Sequence, residues 1–130
     1  MTTEIVTSYR KLVKPEDLNA ANSLFGGTLM SWIDEACALY SMCQMQSRRV
    51  VTLKISEVLF KTPAQQGDIL EFVCQPVRYG HTSFTSNCTV VTKVVAPGET
   101  SRRIATCEVV FVAVDAQGRP TPYVRRPSGD

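Results

Sequence analysis

The chain is organised around residues 19 to 40, which read NAANSLFGGTLMSWIDEACALY. A polar loop leads into Gly26 and Gly27, and a long apolar segment follows. The helical spacing of its apolar residues predicts a helix from about Gly27 to Met45. A helix that is apolar almost all round belongs in the interior of a domain. Asp34 stands among these residues, and a carboxylate there must be paired, neutralised or used in chemistry.

The rest of the chain predicts a sheet. Alternating apolar residues and turn signals place strands at residues 4–13, 50–55, 69–78, 82–95 and 102–114. A phase shift after the second of these predicts a bulge near Ser56 and Glu57. One helix followed by meandering strands predicts an α+β fold, in which an antiparallel sheet wraps around the helix. The proline-rich tail, residues 119–130, is predicted to be flexible.

Composition limits the classes of protein to which the chain can belong. Its 130 residues make a single domain with one core. A net charge of +2, scattered along the chain, argues against nucleic-acid binding. No apolar run reaches the length of a membrane span, and the first residues do not resemble a signal peptide. Five cysteines without a CxxC pair or a histidine cluster predict a reduced, cytoplasmic protein with buried thiols and no structural metal.

Several short motifs, spread over about residues 8 to 120, carry a resemblance to a known family. They are Asp17-x-Asn19, Leu24-Phe25-Gly26-Gly27-Thr28-Leu29-Met30-x-x-x-Asp34, Val50-Val51-Thr52, Phe60-x-x-Pro63-x-x-x-Gly67-Asp68, Val77-x-x-Gly80-x-Thr82-Ser83 and Phe111-x-x-x-Asp115-x-x-Gly118-Arg119. Together they resemble the hotdog-fold acyl-CoA thioesterases, in particular the short acyl-CoA hydrolase branch. The resemblance implies a hotdog fold with five or six strands and cofactor-independent hydrolysis of acyl-CoA thioesters. It also implies a homodimer, often assembled into a hexamer as a trimer of dimers.

Several residues of the predicted helix have side chains or amide groups that could serve in thioester hydrolysis. A Ser-His-Asp triad is excluded, because His81 is the only histidine and no Gly-x-Ser-x-Gly elbow exists. Asp34 fits either as a general base toward water or as a nucleophile that forms a transient anhydride, and the sequence leaves both routes open. Amide groups at the helix start suit a developing oxyanion. The resemblance gives this role to Gly27, while Gly26 lets the substrate approach the backbone.

Two further groups of residues complete the predicted site. The resemblance implies that Asn19 works with Asp34 of the opposite subunit, although an Asx-turn that shapes the loop would also explain an asparagine there. The turn Gly80-His81-Thr82-Ser83 resembles the family segment that meets the nucleotide part of coenzyme A. The aromatic and sulfur-containing side chains that could line an acyl channel are Phe25, Met30, Trp32 and Met45, for each of which core packing is the alternative.

Two other readings stay open. A hotdog dehydratase would need a histidine paired with a carboxylate near the helix, whereas His81 lies in a late turn. A non-catalytic acyl-CoA-binding protein would keep the ligand pocket without the aspartate, and would normally carry a DNA-binding module. Asp34 is present and the chain has no residues to spare for such a module. We therefore predict an enzyme.

Overall fold

The structure, a computed structural model, describes residues 6 to 127, with side chains from residue 9 onward. A helix and six strands follow one another along this part of the chain. They are β1 (Val6–Leu12), α1 (Gly26–Met45), β2 (Val50–Ile55), β3 (Leu59–Phe60), β4 (Ile69–Tyr79), β5 (Ser83–Thr92) and β6 (Arg103–Ala113). A turn of 3₁₀ helix, Pro15–Asp17, precedes α1. None of the helices between residues 6 and 127 is both long and apolar enough to cross a membrane.

The strands form one antiparallel sheet in the order β1-β4-β5-β6-β2, and β3 pairs beside β2 on β6. The sheet covers α1, and the side chains that point toward the helix are fully buried. On β5 these are Phe84, Ser86, Cys88 and Val90, the alternation that the sequence predicts for this strand. The α+β fold class, with a sheet of six strands packed against one long helix, is therefore confirmed.

The predicted bulge near Ser56 and Glu57 is confirmed, because Ile55 faces Val109 and Leu59 faces Thr106, so that four residue steps on this side match three on β6. Strand β2 ends at Ile55, and a second shift of register lies earlier, between Thr52 and Lys54. Beyond the strand, the Ser56 amide donates to the Glu108 carbonyl at 2.8 Å, and the Ser56 hydroxyl accepts from the Glu108 amide at 2.8 Å. A side chain replaces a backbone group in the ladder there, so the chain leaves the strand and pairs again at β3. Residues 4 and 5 of the predicted first strand lie outside the described part of the chain.

The tail packs on the domain instead of leaving it. The Tyr123 hydroxyl donates to the Ser83 carbonyl at 2.8 Å, and the Gln46 side chain donates to the Val124 carbonyl at 2.9 Å. The Arg126 amide donates to the carbonyl of Gln44, near the end of α1, at 2.9 Å. These contacts argue against the predicted flexibility for residues 119–127. The proline content does not predict this packing. Prolines prevent the tail from pairing as a strand, but they do not prevent Tyr123, which lies between them, from packing on the domain.

Three thiols meet in the core. Cys37 of α1, Cys74 of β4 and Cys88 of β5 are buried, and their sulfur atoms lie within 4.8 Å of one another. Hydrogen bonding with Cys74 raises the pKa of the Cys37 thiol, hydrogen bonding with Cys37 raises that of Cys88, and burial adds to both. Neutral thiols pack as small apolar groups. The prediction of buried cysteines fails for Cys43, which is exposed on α1.

A hydrogen bond between Tyr9 and Glu35 connects β1 to the helix, and it should make the stability of the fold depend on pH. The Tyr9 hydroxyl donates to Glu35 at 2.9 Å, and its ring packs edge-on against Phe72. Burial, helped by the bond to Glu35, raises the pKa of Tyr9 to about 12 from an ordinary 10.0. Because folding favours the neutral phenol, its contribution to stability is complete below pH 10 and is lost as the pH rises through about 12.

Urea unfolding of the wild type and of Tyr9→Phe, measured across this alkaline range, tests the prediction. We expect the difference in unfolding free energy between the two proteins to shrink as the pH rises. The comparison cancels the other tyrosines and lysines, which titrate in both proteins. A difference that stays constant with pH would contradict the assignment.

Candidate active site

The start of α1 exposes backbone donors. The Leu24 amide donates to the Ala64 carbonyl at 2.8 Å and the Phe25 amide to the Asp17 carbonyl at 2.9 Å, which fixes the direction of entry. The first intrahelical bond runs from the Leu29 amide to the Phe25 carbonyl at 3.1 Å. The amides of residues 26 to 28 therefore have no acceptor within the helix, and they stand at the positive end of its dipole.

The two glycines leave this end of the helix bare. A Cβ atom at Gly27 would lie 3.0 Å from the ring of Phe25, and one at Gly26 would lie 3.5 Å from the ring of Phe60. Both rings are more than half exposed, so they could yield to a larger side chain. Close packing of helix on sheet therefore does not explain the glycine pair. An approachable backbone does explain it.

Asp34 lies in the gap between α1 and the edge strand β2. Its carboxylate is half-buried, and Oδ1 accepts a hydrogen bond from the Thr52 hydroxyl at 2.8 Å. Within residues 9 to 127, no hydrogen bond involves Oδ2. One oxygen is thus held in place while the other is available to a water molecule or a substrate. The expectation that Asp34 sits among buried residues is only partly right, because the face it shares with Gly27 and Met30 opens toward solvent.

Gly27 and Asp34 occupy the same face of α1, two helical turns apart. At 1.5 Å of rise per residue, this separates them by about 10 Å along the axis. Direct attack requires the reacting atoms to approach within about 3.5 Å. A carbonyl whose oxygen is bound to the Gly27 amide is therefore too distant for direct contact with Asp34 of the same chain.

Asn19 shapes its own loop. Its side-chain oxygen accepts from the amides of Ala21 at 2.9 Å and Ser23 at 3.2 Å, which is the Asx-turn alternative. Asn22, in the same loop, takes a left-handed conformation with φ of 61°. No hydrogen bond of the Asn19 side-chain NH₂ is found within the described residues. The side-chain oxygen of Asn19 is thus engaged within the loop, and its NH₂ group remains available as a donor.

A cavity of about 420 Å³ opens beside the helix start. Its lining is mostly apolar and consists of Ser23, Leu24, Gly26, Leu29, Phe60, Lys61, Thr62, Pro63, Ala64 and Ile104. Asp34 does not line it. Of the four side chains suggested for an acyl channel, Trp32 and Met45 are buried in the core, and Phe25 and Met30 are exposed outside the cavity.

The turn at residues 80–83 lies at the other end of α1. The Gly80 amide donates to the Ser83 carbonyl at 2.8 Å, and a Cβ atom at Gly80 would lie 2.5 Å from the Ser83 hydroxyl. The turn is fixed to β6, since the Thr82 carbonyl accepts from the Ala113 amide at 2.9 Å. His81 is exposed at its tip. A side chain at Gly80 would therefore require the Ser83 hydroxyl to move.

The chain is similar to proteins of a known superfamily. Residues 21–99 match the model of the thioesterase superfamily, which is more than half of the chain. The chain belongs to this superfamily. Among relatives, it is similar to the acyl-CoA thioester hydrolase YciA of Salmonella typhimurium, with 36% identity over 115 residues, covering 87% of this chain and 86% of YciA.

Solved structures of the superfamily confirm the hotdog fold. The chain superposes on the Asp-to-Ala mutant of a hexameric broad-specificity acyl-coenzyme A thioesterase with a TM-score of 0.88 and 29% identity, covering 95% of this chain and 90% of that one. It is also similar to an acyl-CoA hydrolase from Staphylococcus aureus solved with butyryl coenzyme A, coenzyme A and coenzyme A disulfide. For that structure the TM-score is 0.83 and the identity 31%, over 94% of this chain and 74% of that one.

Alanine variants of the Staphylococcus aureus thioesterase have also been solved. They replace an asparagine, an aspartate or a threonine. The asparagine and the aspartate are spaced along that chain as Asn19 and Asp34 are here. In this chain, the threonine whose hydroxyl donates to Asp34 is Thr52, eighteen positions further along. Thr52 belongs to the motif Val50-Val51-Thr52, in which no local signal points to a contact with Asp34.

Removing the Thr52 hydroxyl should slow the reaction without abolishing it. In Thr52→Val, Asp34 loses the donor that orients Oδ1, and a hydrogen bond to a charged group contributes about 1.5–3 kcal/mol. We expect kcat to fall about tenfold or more, because a loss of this binding energy in the transition state raises the barrier by a similar amount. Thr52→Ser keeps the hydroxyl and serves as the matched control. Equal kcat values for the valine and serine variants would show that the hydroxyl does not matter.

Proposed function

We propose that this protein hydrolyses acyl-CoA thioesters to the free acid and coenzyme A. The observation that carries the proposal is the Asp34 carboxylate, held by Thr52 through one oxygen and open at the other. The similarity to acyl-CoA thioester hydrolases over most of the chain supports the same activity. No second function is favoured by a specific feature of the described residues.

The site that we propose is shared between two subunits. The oxygen of the thioester carbonyl accepts from the Gly27 amide of one protomer, and Asp34 of the partner subunit faces the carbon. In one chain the Gly27 amide and Asp34 are about 10 Å apart along α1. When they come from different subunits, both can reach the same carbonyl group. The side-chain NH₂ of Asn19 enters near its own protomer's Gly27, where it can donate to the carbonyl or to the attacking water.

Two routes lead from this arrangement to products. In the first, Asp34 takes a proton from water, a bond forms between the water oxygen and the carbonyl carbon, and the carbon–sulfur bond breaks. The thiolate then takes the proton. In the second, a carboxylate oxygen attacks the carbon, the thiolate leaves, and water hydrolyses the resulting anhydride. In both, the Gly27 amide stabilises the oxyanion, a contribution of about 3 kcal/mol in comparable sites. Neither route uses a cofactor.

The two ends of the substrate have separate places in this proposal. The acyl chain enters the apolar cavity beside Gly26, whose lining includes Leu29, Phe60 and Ile104. The nucleotide part of coenzyme A lies against the turn at residues 80–83. An apolar pocket next to a few polar groups is the usual form of a small-molecule site.

The proposed assembly follows from the edge of the sheet. On β2, Val51, Leu53 and Ile55 are 48%, 65% and 37% exposed, and Phe60 on β3 is 57% exposed. An apolar edge strand in water is a site for pairing with another chain. We propose a homodimer formed through this edge and a trimer of such dimers, which would give a hexamer, the assembly named for the similar acyl-coenzyme A thioesterase. A cytoplasmic location agrees with the reduced thiols.

Incubation with acyl-CoAs from acetyl to palmitoyl, with detection of the released thiol, tests the activity. We expect turnover of at least part of this series, with a chain-length limit set by the cavity. Binding of acyl-CoA without thiol release from any member would support the non-catalytic alternative and overturn the proposal.

A further inference from the structure

The C-terminal segment is tied to the turn that is proposed to meet the nucleotide. The Ser83 carbonyl accepts two hydrogen bonds, from the Gly80 amide at 2.8 Å and from the Tyr123 hydroxyl at 2.8 Å. The bond from Gly80 closes the turn. The bond from Tyr123, which lies outside the turn, holds Ser83 in place. Tyr123 itself is half-buried against the core. The position of the turn therefore depends on a residue forty positions away in the chain.

Arg125 stands over the residue that leads into the turn. Its guanidinium carbon lies 3.8 Å from the ring centre of Tyr79, and the Tyr79 hydroxyl donates to the Gln44 side chain of α1 at 2.8 Å. None of the ion pairs within residues 9 to 127 involves Arg125. A guanidinium stacked by its face on a ring keeps the N–H groups along its edge free, and this edge matches the geometry of a phosphate.

The surroundings of Arg125 suit an anion. Arg78 and His81 are exposed beside the same turn. Nearby, Asp115 is paired with Arg119 at 3.5 Å. Arg78 and Arg125 take part in none of the ion pairs between residues 9 and 127, so two unpaired positive charges lie beside the turn.

We propose that the C-terminal segment 121–126 forms one wall of the nucleotide site, in which Arg125 binds a phosphate of coenzyme A and Tyr123 positions the turn. The inference rests on the proposed function and extends it to residues outside the family motifs. Arg125 acts by direct contact with the substrate. Tyr123 acts through the Ser83 carbonyl and touches no reacting atom.

The test compares two substrates that differ only in the nucleotide part. One is an acyl-CoA that the wild type hydrolyses, and the other carries the same acyl group on N-acetylcysteamine. For Arg125→Gln, we expect KM for acyl-CoA to rise about tenfold, the loss of one charge-assisted hydrogen bond. We expect kcat, and both constants for the short thioester, to stay at wild-type values. Tyr123→Phe should show the same pattern with a smaller rise in KM.

Lys93→Gln serves as the matched control, because it removes a positive charge just beyond the far end of β5. It should leave KM for acyl-CoA unchanged. Thermal melting and the dissociation constant of free coenzyme A, measured for each variant, separate binding from folding. A selective loss of coenzyme A affinity in Arg125→Gln, at an unchanged melting temperature, would support the proposal.

Each other outcome overturns it in a recognisable way. If Arg125→Gln and Tyr123→Phe bind and turn over acyl-CoA like the wild type, the segment is not part of the site, while the hydrolase function stands. If the variants lose activity toward both substrates, the segment has a structural role alone. If the wild type hydrolyses both thioesters equally well, the nucleotide is not recognised. If the wild type hydrolyses no acyl-CoA from acetyl to palmitoyl, so that no substrate can be chosen for this test, the proposed function itself fails.

Discussion

Replacing Asp34 by asparagine should lower kcat for acyl-CoA hydrolysis by about 10² to 10⁴-fold, the range attributed to a well-placed general base. Asparagine has the same shape and can still accept from the Thr52 hydroxyl through its oxygen. It cannot take a proton from water at neutral pH, and it is a poor nucleophile. The loss should therefore appear in kcat, with KM and the melting temperature little changed. Thiol release at saturating substrate measures it.

The neighbouring carboxylate provides a matched control. Glu35 is exposed one position further along α1, where it accepts from Tyr9 at 2.9 Å and points away from Thr52. Glu35→Gln also removes one negative charge from the helix, and its amide oxygen can still accept from Tyr9. We expect near wild-type kcat from this variant. An Asp34→Asn protein as active as Glu35→Gln would remove Asp34 from the catalytic site.

The helix and most of the sheet can be predicted from the sequence, because both depend on the local periodicity of apolar residues. The helix begins at Gly26, one residue before the predicted start, and ends at Met45 as predicted. On β5, strict alternation identified the buried face. Periodicity also predicts that Asp34 shares a face of α1 with Met30, Ala38 and Ser41, and this face is open at Met30 and Asp34 but buried at Ser41.

The features that the sequence did not predict depend on contacts between distant residues. Thr52 matters because β2 lies beside α1, and no local pattern reveals that its hydroxyl reaches Asp34. The bulge at Ser56 is predicted, but not the residue that its side chain bonds, which is Glu108, fifty-two positions away. The tail was predicted to be flexible from its prolines, whereas Tyr123 anchors it to Ser83. The cavity is lined by Phe60 and Ile104 from separate strands, so its existence is a property of the fold alone.

Placing a charge on the exposed edge of the sheet should separate the subunits and abolish hydrolysis. Leu53 is 65% exposed on β2, in the middle of the apolar edge. A lysine there would have to be buried in a dimer formed through this edge, and natural proteins use lysine on edge strands to prevent such pairing. Burial of an isolated ammonium group costs several kcal/mol, enough to dissociate many dimers. We expect Leu53→Lys to sediment as a monomer.

The loss of activity in that variant is the stronger part of the prediction, because Leu53 has no place in the proposed chemistry. If Gly27 and Asp34 must come from different subunits, a folded monomer contains both groups and still lacks a complete site. Val95→Lys is the matched control, since Val95 is 67% exposed in the loop after β5, away from the edge. It should keep both assembly and kcat. A Leu53→Lys monomer with wild-type kcat would show that one chain completes the site and that the separation along α1 is bridged by the substrate itself.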